Sequence, residues 1–145
     1  MKAIQSLFLL LAVVALSGSV IAQTGEPEKP TVVSAAVPVY PVIAEAARAG
    51  GDVIVKVEID REGKVTAAHS DGKIKLLGKA AEEAARRWQF AASQNGEKRR
   101  KAQLVFSFRL MPDEASSLDS TPVFYPPYRI EIRKKPAKIV QTPSH

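Results

Sequence analysis

Gly51-Asp52-Val53-Ile54-Val55-Lys56-Val57-Glu58-Ile59-Asp60-Arg61-Glu62-Gly63-Lys64-Val65 is the stretch that decides the fold. Val53, Val55, Val57 and Ile59 alternate with residues that include Lys56, Glu58 and Asp60. A period of two belongs to a strand with one buried face, because successive side chains on a strand point to opposite sides. Ile54, on the outward face, implies that part of this strand is covered on both sides. Asp60-Arg61-Glu62-Gly63-Lys64 then breaks the alternation with charge and with a glycine free to take positive φ. That composition predicts a hairpin and a return strand from Val65 to His69, with Val65 and Ala67 inward.

Upstream, Pro41 suits the first position of a helix, and Gly50-Gly51 suits its end. Tyr40, Ile43, Ala44 and Ala47 recur at helical spacing and are expected inward, with Glu45 and Arg48 in water. Downstream, Ser70-Asp71-Gly72-Lys73 interrupts the strand pattern, and a second helix is predicted from Leu76 to Trp88. Leu77, Ala80, Ala81, Ala84, Ala85 and Trp88 form its apolar stripe, while Glu82 with Arg86 and Glu83 with Arg87 stand four apart on the wet side. After a turn at Gln94-Asn95-Gly96-Glu97, Lys101 to Met111 reads as the longest strand. Its Leu104, Phe106, Phe108 and Leu110 face the helices; Gln103, Val105, Ser107 and Arg109 face away.

A helical connection between the second and last strands favours placing the last strand beside the first, on an edge. The expected fold is therefore α+β: two layers, with two helices on a three-stranded antiparallel sheet. Its expected core is Ile43, Val53, Val55, Val57, Leu77, Ala81, Trp88, Phe90, Phe106 and Phe108.

The flanks read differently. Residues 1–22 have the form of an export signal, with Lys2, the apolar run from Leu7 to Leu16 and small residues before Gln23. The expectation is a periplasmic protein beginning at Gln23; retention as an inner-membrane anchor is the alternative, disfavoured by the interruption at Ser17-Gly18-Ser19, since a spanning helix needs about 20 apolar residues. Residues 23–36, with Pro27 and Pro30 among charges, read as a flexible linker, and 37–111 as the folded domain. Residues 112–145 read as an extended, basic tail. Within it, Pro122-Val123-Phe124-Tyr125-Pro126-Pro127-Tyr128 with Ile130 and Ile132 suits an edge addition or a polyproline-like arm, because proline cannot donate within a central strand.

The chain has 145 residues, no cysteine and a formal charge of +6. Disulfides, thiolate catalysis and cysteine-ligated metals are thereby excluded. The basic runs at Lys98-Arg99-Arg100-Lys101 and Arg133-Lys134-Lys135 with Lys138, lying behind an export signal, point to weak contact with anionic envelope surfaces or to solvated strand flanks, and not to nucleic acid. No catalytic residue, cofactor site or metal site is expected. His69-Ser70-Asp71 are consecutive on a strand and cannot converge as a triad, Glu82 and Glu83 pair with arginines one turn on, and His145 stands alone.

Taken together, Tyr40-Pro41, Gly51 with the valines that follow, Asp60 and Gly63 of the hairpin, the segment from Ala80 to Trp88-Gln89-Phe90 and the strand around Phe106 resemble the C-terminal domain of the TonB family. The resemblance covers about half the chain. It implies the same two-layer fold, and a last strand that pairs with a short peptide near the amino end of an outer-membrane transporter. Carried onto this sequence, the peptide edge is Lys101, Gln103, Leu104, Val105, Phe106, Ser107, Phe108 and Arg109, flanked by Val39 and Tyr40. The implied partner is a TonB-dependent transporter or another envelope protein. Val37 stands where resembling transducers place a polar residue ahead of the Tyr-Pro pair, the long Pro-rich spacer of anchored transducers is missing, and the tail after Met111 is long enough to cover the edge. The alternative is a non-transducing scaffold or self-pairing homodimer module.

Overall fold

The computed structural model describes residues 26–112, 114–115 and 120–136. The expected export signal over residues 1–22 lies outside them. In chain order the elements are β1 (Val32–Ser34), α1 (Val42–Ala46), β2 (Gly51–Asp60), β3 (Val65–Ser70), α2 (Lys75–Ala85), β4 (Gln89–Phe90), β5 (Arg99–Leu110), β6 (Val123–Tyr125) and β7 (Arg129–Lys134). No helix among the described residues is long and apolar enough to cross a membrane.

β2 is the alternating strand predicted from the opening stretch, with Val53, Val55, Val57 and Ile59 buried. It pairs antiparallel with β3 on one side and along its full length with β5 on the other. The β2–β3 hairpin closes where Lys64 N–H donates to Asp60 Oδ1 at 2.7 Å. Gly63 sits at φ +94, and a Cβ there would lie 1.9 Å from the Phe90 carbonyl oxygen. Both the conformation and the close approach require glycine.

β3 departs from simple alternation. Its register against β2 shifts between Glu58 and Ile59, so the residue buried on β3 is Ala68 and not the expected Ala67. One extra residue in a bulge moves the following side chains to the other face.

α2 lays Leu77, Ala81, Ala84 and Ala85 on the sheet, as its apolar stripe predicts. The helix ends at Ala85; Arg87 and Trp88 continue it as a tighter turn, their N–H groups donating to Ala84 and Ala85 carbonyls at 2.9 and 3.1 Å. Trp88 is fully buried, packed edge-on against Phe106 with centroids 5.8 Å apart and beside Phe90 at 6.2 Å.

Glu82 does more than pair with Arg86 on a wet face. Its Oε1 accepts the Ser70 backbone N–H at 2.8 Å, tying α2 to the end of β3, while Arg86 lies 3.8 Å from Oε2. That N–H, with the Ser70 hydroxyl, Arg86 and His69 adding to it against the opposing effect of burial, holds the carboxyl below the usual glutamate range. The fold therefore prefers the ionised form. Its stabilisation is complete above the ordinary glutamate pKa and disappears as pH falls through the lower folded-state value. Glu82→Gln is expected to cost about 1 kcal/mol at pH 7, the difference between a charged and a neutral acceptor. The gap between variant and parent in urea unfolding should close on acidification.

α1 is shorter than expected. Pro41 stands just before it, at φ -65 and ψ 131, and the helical residues end at Ala46. Tyr40 and Ala44 take the core positions, with Tyr40 edge-on to Phe108 at 5.3 Å and its hydroxyl donating to the Ala49 carbonyl. Ile43, expected in the core, is 68% exposed and Val42 is 77% exposed. A single turn of helix buries one narrow stripe, and Ala44 occupies it.

Two further corrections enlarge the architecture. The main sheet has five strands, in order β3-β2-β5-β7-β6, and is mixed where three antiparallel strands were expected. β1 and β4 form a separate antiparallel pair. Hence residues 26–36 are not a free linker. Ala91 N–H donates to the Thr31 carbonyl at 2.8 Å, Trp88 Nε1–H donates to the Ala36 carbonyl at 3.0 Å, and Pro30 is buried. The segment satisfies polar groups that the aromatic corner at Trp88 and Phe90 would otherwise bury unpaired.

Arg100 belongs to the same corner. Drawn in the sequence as part of a solvated basic run, its side chain is 1% exposed, with Nη2 donating to the Ala91 carbonyl at 2.7 Å and Nη1 3.6 Å from Glu28 Oε1. Opposite Ile59 on the helix-facing side of β5, it cannot point outward.

Candidate partner-binding edge

β5 has one long side against β2, so its other side is where a partner strand could add. Backbone direction alternates along a strand. Val105 N–H donates outward, to the Tyr128 carbonyl at 2.9 Å, and Met111 N–H donates outward to the Lys134 carbonyl at 2.9 Å. Odd-numbered residues from Arg99 to Met111 thus present their N–H and C=O groups to this side, and even-numbered residues present theirs to β2.

Over its second half this side is filled. β7 runs parallel to β5 from Val105 opposite Arg129 to Leu110 opposite Lys134, and β6 folds back antiparallel on β7. The expectation that the last strand of the domain lies open is corrected over Val105 to Arg109. β7 lies between β5 and β6, and neither strand of the hairpin contains proline: Pro122 stands before β6, and Pro126-Pro127, joined by a cis peptide bond, make the turn. The tail predicted as an edge addition is therefore an integral hairpin of the sheet.

Chemistry explains its seat. Ile130 and Ile132, opposite Phe106 and Phe108, are 2% and 5% exposed, so β7 completes the same core as the helices. Burying each side chain contributes about 1.5–3 kcal/mol. On the outward face Asp52 receives Arg109 at 2.7 Å and Arg129 at 3.3 Å, bridging β2, β5 and β7. These ion pairs are exposed and contribute little. Lys134 reaches Glu45 of α1 at 3.9 Å, and Arg133 contacts Glu131 at 2.6 Å. Tyr128 O–H donates to the Pro30 carbonyl at 2.6 Å while its ring meets Phe90, and Phe124 meets Trp88 at 6.1 Å.

The first half of the same side is different. The ladder to β7 begins at Val105, and no strand of the described residues pairs with the outer side of Arg99, Lys101 and Gln103. Beside it lies a groove of about 730 Å³ between residues 26–30, Tyr128 and the face of the sheet carrying Lys56, Glu58 and His69.

Of the sequence-predicted site residues, Lys101 and Gln103 thus lie on the open part. Val105, Ser107 and Arg109 share their outward groups with the covered part, and Leu104, Phe106 and Phe108 turn theirs to β2 and their side chains to the core. Ser107, expected on the outward face, is fully buried. Val39 is exposed and Tyr40 buried. The groove itself escaped the sequence reading, because it is made by residues 26–30 and Tyr128, which that reading assigned to a linker and a tail.

The sequence of residues 36–110 matches the family whose description reads Gram-negative bacterial TonB protein C-terminal. The match spans more than half of the 145 residues, and the chain belongs to that family. Family membership places it among cell-envelope proteins with a protein-interaction role. A search of curated proteins finds no match to the chain.

Proposed function

We propose that this chain is a non-catalytic, periplasmic TonB-like module that captures an extended peptide of an envelope partner by strand addition to the outer side of β5. The partner class implied by the resemblance is an outer-membrane transporter. The observation that supports this reading is the lie of β7: an extended segment with alternating apolar residues adds to this side and is held by main-chain bonds and two side-chain sockets. Such an edge suits any peptide of similar pattern, because main-chain pairing supplies affinity and alternate side chains supply selection. At Val105 to Leu110 an incoming peptide competes with the hairpin of the same chain, which acts at high effective concentration.

The burial of Ile130 and Ile132 favours a second reading, an envelope scaffold whose edge is closed for good. Calorimetric titration with a peptide from a transporter's amino-terminal coupling segment separates the two. The full chain and a chain ending at Pro112 are both titrated, after circular dichroism has established that the shorter one is folded. Strand addition predicts weak binding to the full chain and binding at least tenfold tighter to the shortened one. If the shortened chain is folded and binds no peptide, the proposal is lost and the scaffold reading stands.

A further inference from the structure

We infer that the end of the domain built from α1 and the start of α2 is a docking surface for an anionic phospholipid bilayer, with Val39, Val42 and Ile43 entering the headgroup layer and a basic fringe facing the lipid phosphates. Its residues are separate from the outer side of β5, and its test is separate from that of strand addition.

The fold brings this surface together from distant parts of the chain. The Tyr40 ring packs on Phe108, the Ile74 side chain lies where a Cβ on Gly51 would meet it at 3.5 Å, and Lys134 reaches Glu45. Thus α1, the start of α2 and the last residues of β5 and β7 share the end of the sheet where β2 begins, and α1 packs on α2 there. The β2–β3 hairpin lies at the opposite end.

Apolar exposure is concentrated at this end. Residues 31–50 hold only two charged side chains, Glu45 and Arg48, in a chain of which 25% of residues are charged. Val39 is 78% exposed, Val42 77% and Ile43 68%, with Ala46 and Ala47 also exposed beside them and Leu76, in the first turn of α2, 46% exposed. Aliphatic side chains this bare stand out from the fold and line no cleft, and a cluster of them marks an interaction surface.

Charge selects the occupant. Of the acids at this end, Asp52 is held by Arg109 and Arg129, and Glu45 faces Lys134. Asp71 and Glu114 remain, against Arg48, Lys73, Lys75 and Lys135, none of which has a carboxylate partner among the described residues. One turn further along α2, Lys79 and Glu83 balance each other. A second copy set on the same patch would bring these cations against their own counterparts. A bilayer with anionic lipid carries the opposite charge, and its headgroup layer admits short aliphatic side chains without a shaped pocket. Neither contribution is strong alone, so retention needs both and weakens with salt.

The test uses the chain from Gln23, which keeps every described residue, and sedimentation with vesicles of phosphatidylcholine alone or mixed with phosphatidylglycerol. Retention is expected only with phosphatidylglycerol and should fall as salt rises. Because the chain has no cysteine, Ala46→Cys and Glu62→Cys each accept a single environment-sensitive fluorophore. The first should shift to the blue when vesicles are added; the second, on the β2–β3 hairpin, should not. Val42→Ser with Ile43→Ser changes only exposed side chains and should lose about tenfold in vesicle affinity, and Lys73→Glu with Lys75→Glu should lose about as much, tenfold. Should the serine variant not fold, the two labelled chains decide. Absence of retention, an affinity unchanged in the folded serine variant, or a fluorophore at residue 46 that stays in water overturns the inference. If retention is absent and the parent is instead a dimer that the serine variant dissolves, the patch belongs to a second copy and the lipid reading is lost.

Discussion

Replacing Trp88 with alanine is expected to cost about 3–5 kcal/mol, the usual range for truncating a buried large aromatic, and to loosen both ends of the described chain together. Trp88 is fully buried among Phe90, Phe106 and Phe124, and its indole N–H donates to the Ala36 carbonyl at 3.0 Å. Phe106 belongs to β5, Phe124 to the β6–β7 hairpin and Ala36 to the amino-terminal segment. One side chain therefore joins three pieces of chain that are remote in sequence. Trp88→Phe separates two parts of the loss. It keeps most of the apolar volume but removes the hydrogen bond, leaving the Ala36 carbonyl without that donor, so about 1–2 kcal/mol should go. Since the chain has a single tryptophan, urea unfolding followed by far-ultraviolet circular dichroism is the suitable measurement. A loss below about 1 kcal/mol for the alanine variant would mean that this corner does not organise the domain.

How far the sequence disclosed this arrangement depends on the kind of signal each segment carries. β2, the Gly63 hairpin, α2 and β5 were legible because each has a periodic apolar pattern that only one secondary structure satisfies, and most of the expected core follows from them. Ile43 misled, because helical spacing was extended over a segment that makes only one turn. β1 and the packing of residues 26–31 were illegible for another reason. Pro27, Pro30 and scattered charges carry no period, and their order comes from partners far away: Arg100 for Glu28, Tyr128 for Pro30, Trp88 for Ala36. The tail was half legible. Ile130 and Ile132 alternate as a strand should, but nothing local says that β7 would run parallel to β5, or that it would fill the side the family resemblance leaves for a peptide. The candidate site divides along the same line, Lys101 and Gln103 open and Val105 to Arg109 covered, because the cover is a tertiary event.

That cover yields the sharpest prediction. Ile130→Asp places a carboxylate against Phe106, in a position 2% exposed in the parent, where the helix-facing cations of β5 and β7, Arg100 and Lys134, are already engaged by the Ala91 carbonyl and by Glu45. An unpaired buried charge is costly enough that detaching the strand is the easier response. The hairpin contributes two buried isoleucines, about 1.5–3 kcal/mol each, so the variant is expected to release β6 and β7 while β2, β3, β5 and both helices stay folded. Alternation makes the outcome unmistakable in amide hydrogen exchange. Val105, Ser107 and Arg109, whose N–H groups face β7, should exchange at least tenfold faster, while Leu104, Phe106 and Phe108, whose N–H groups face β2, keep their protection. The same variant should bind a transporter peptide more tightly than the parent, since the intramolecular competitor is gone. Uniform loss of protection across β5 would show instead that the hairpin is inseparable from the core, and the strand-addition mechanism at Val105 to Leu110 would then have no accessible state from which to begin.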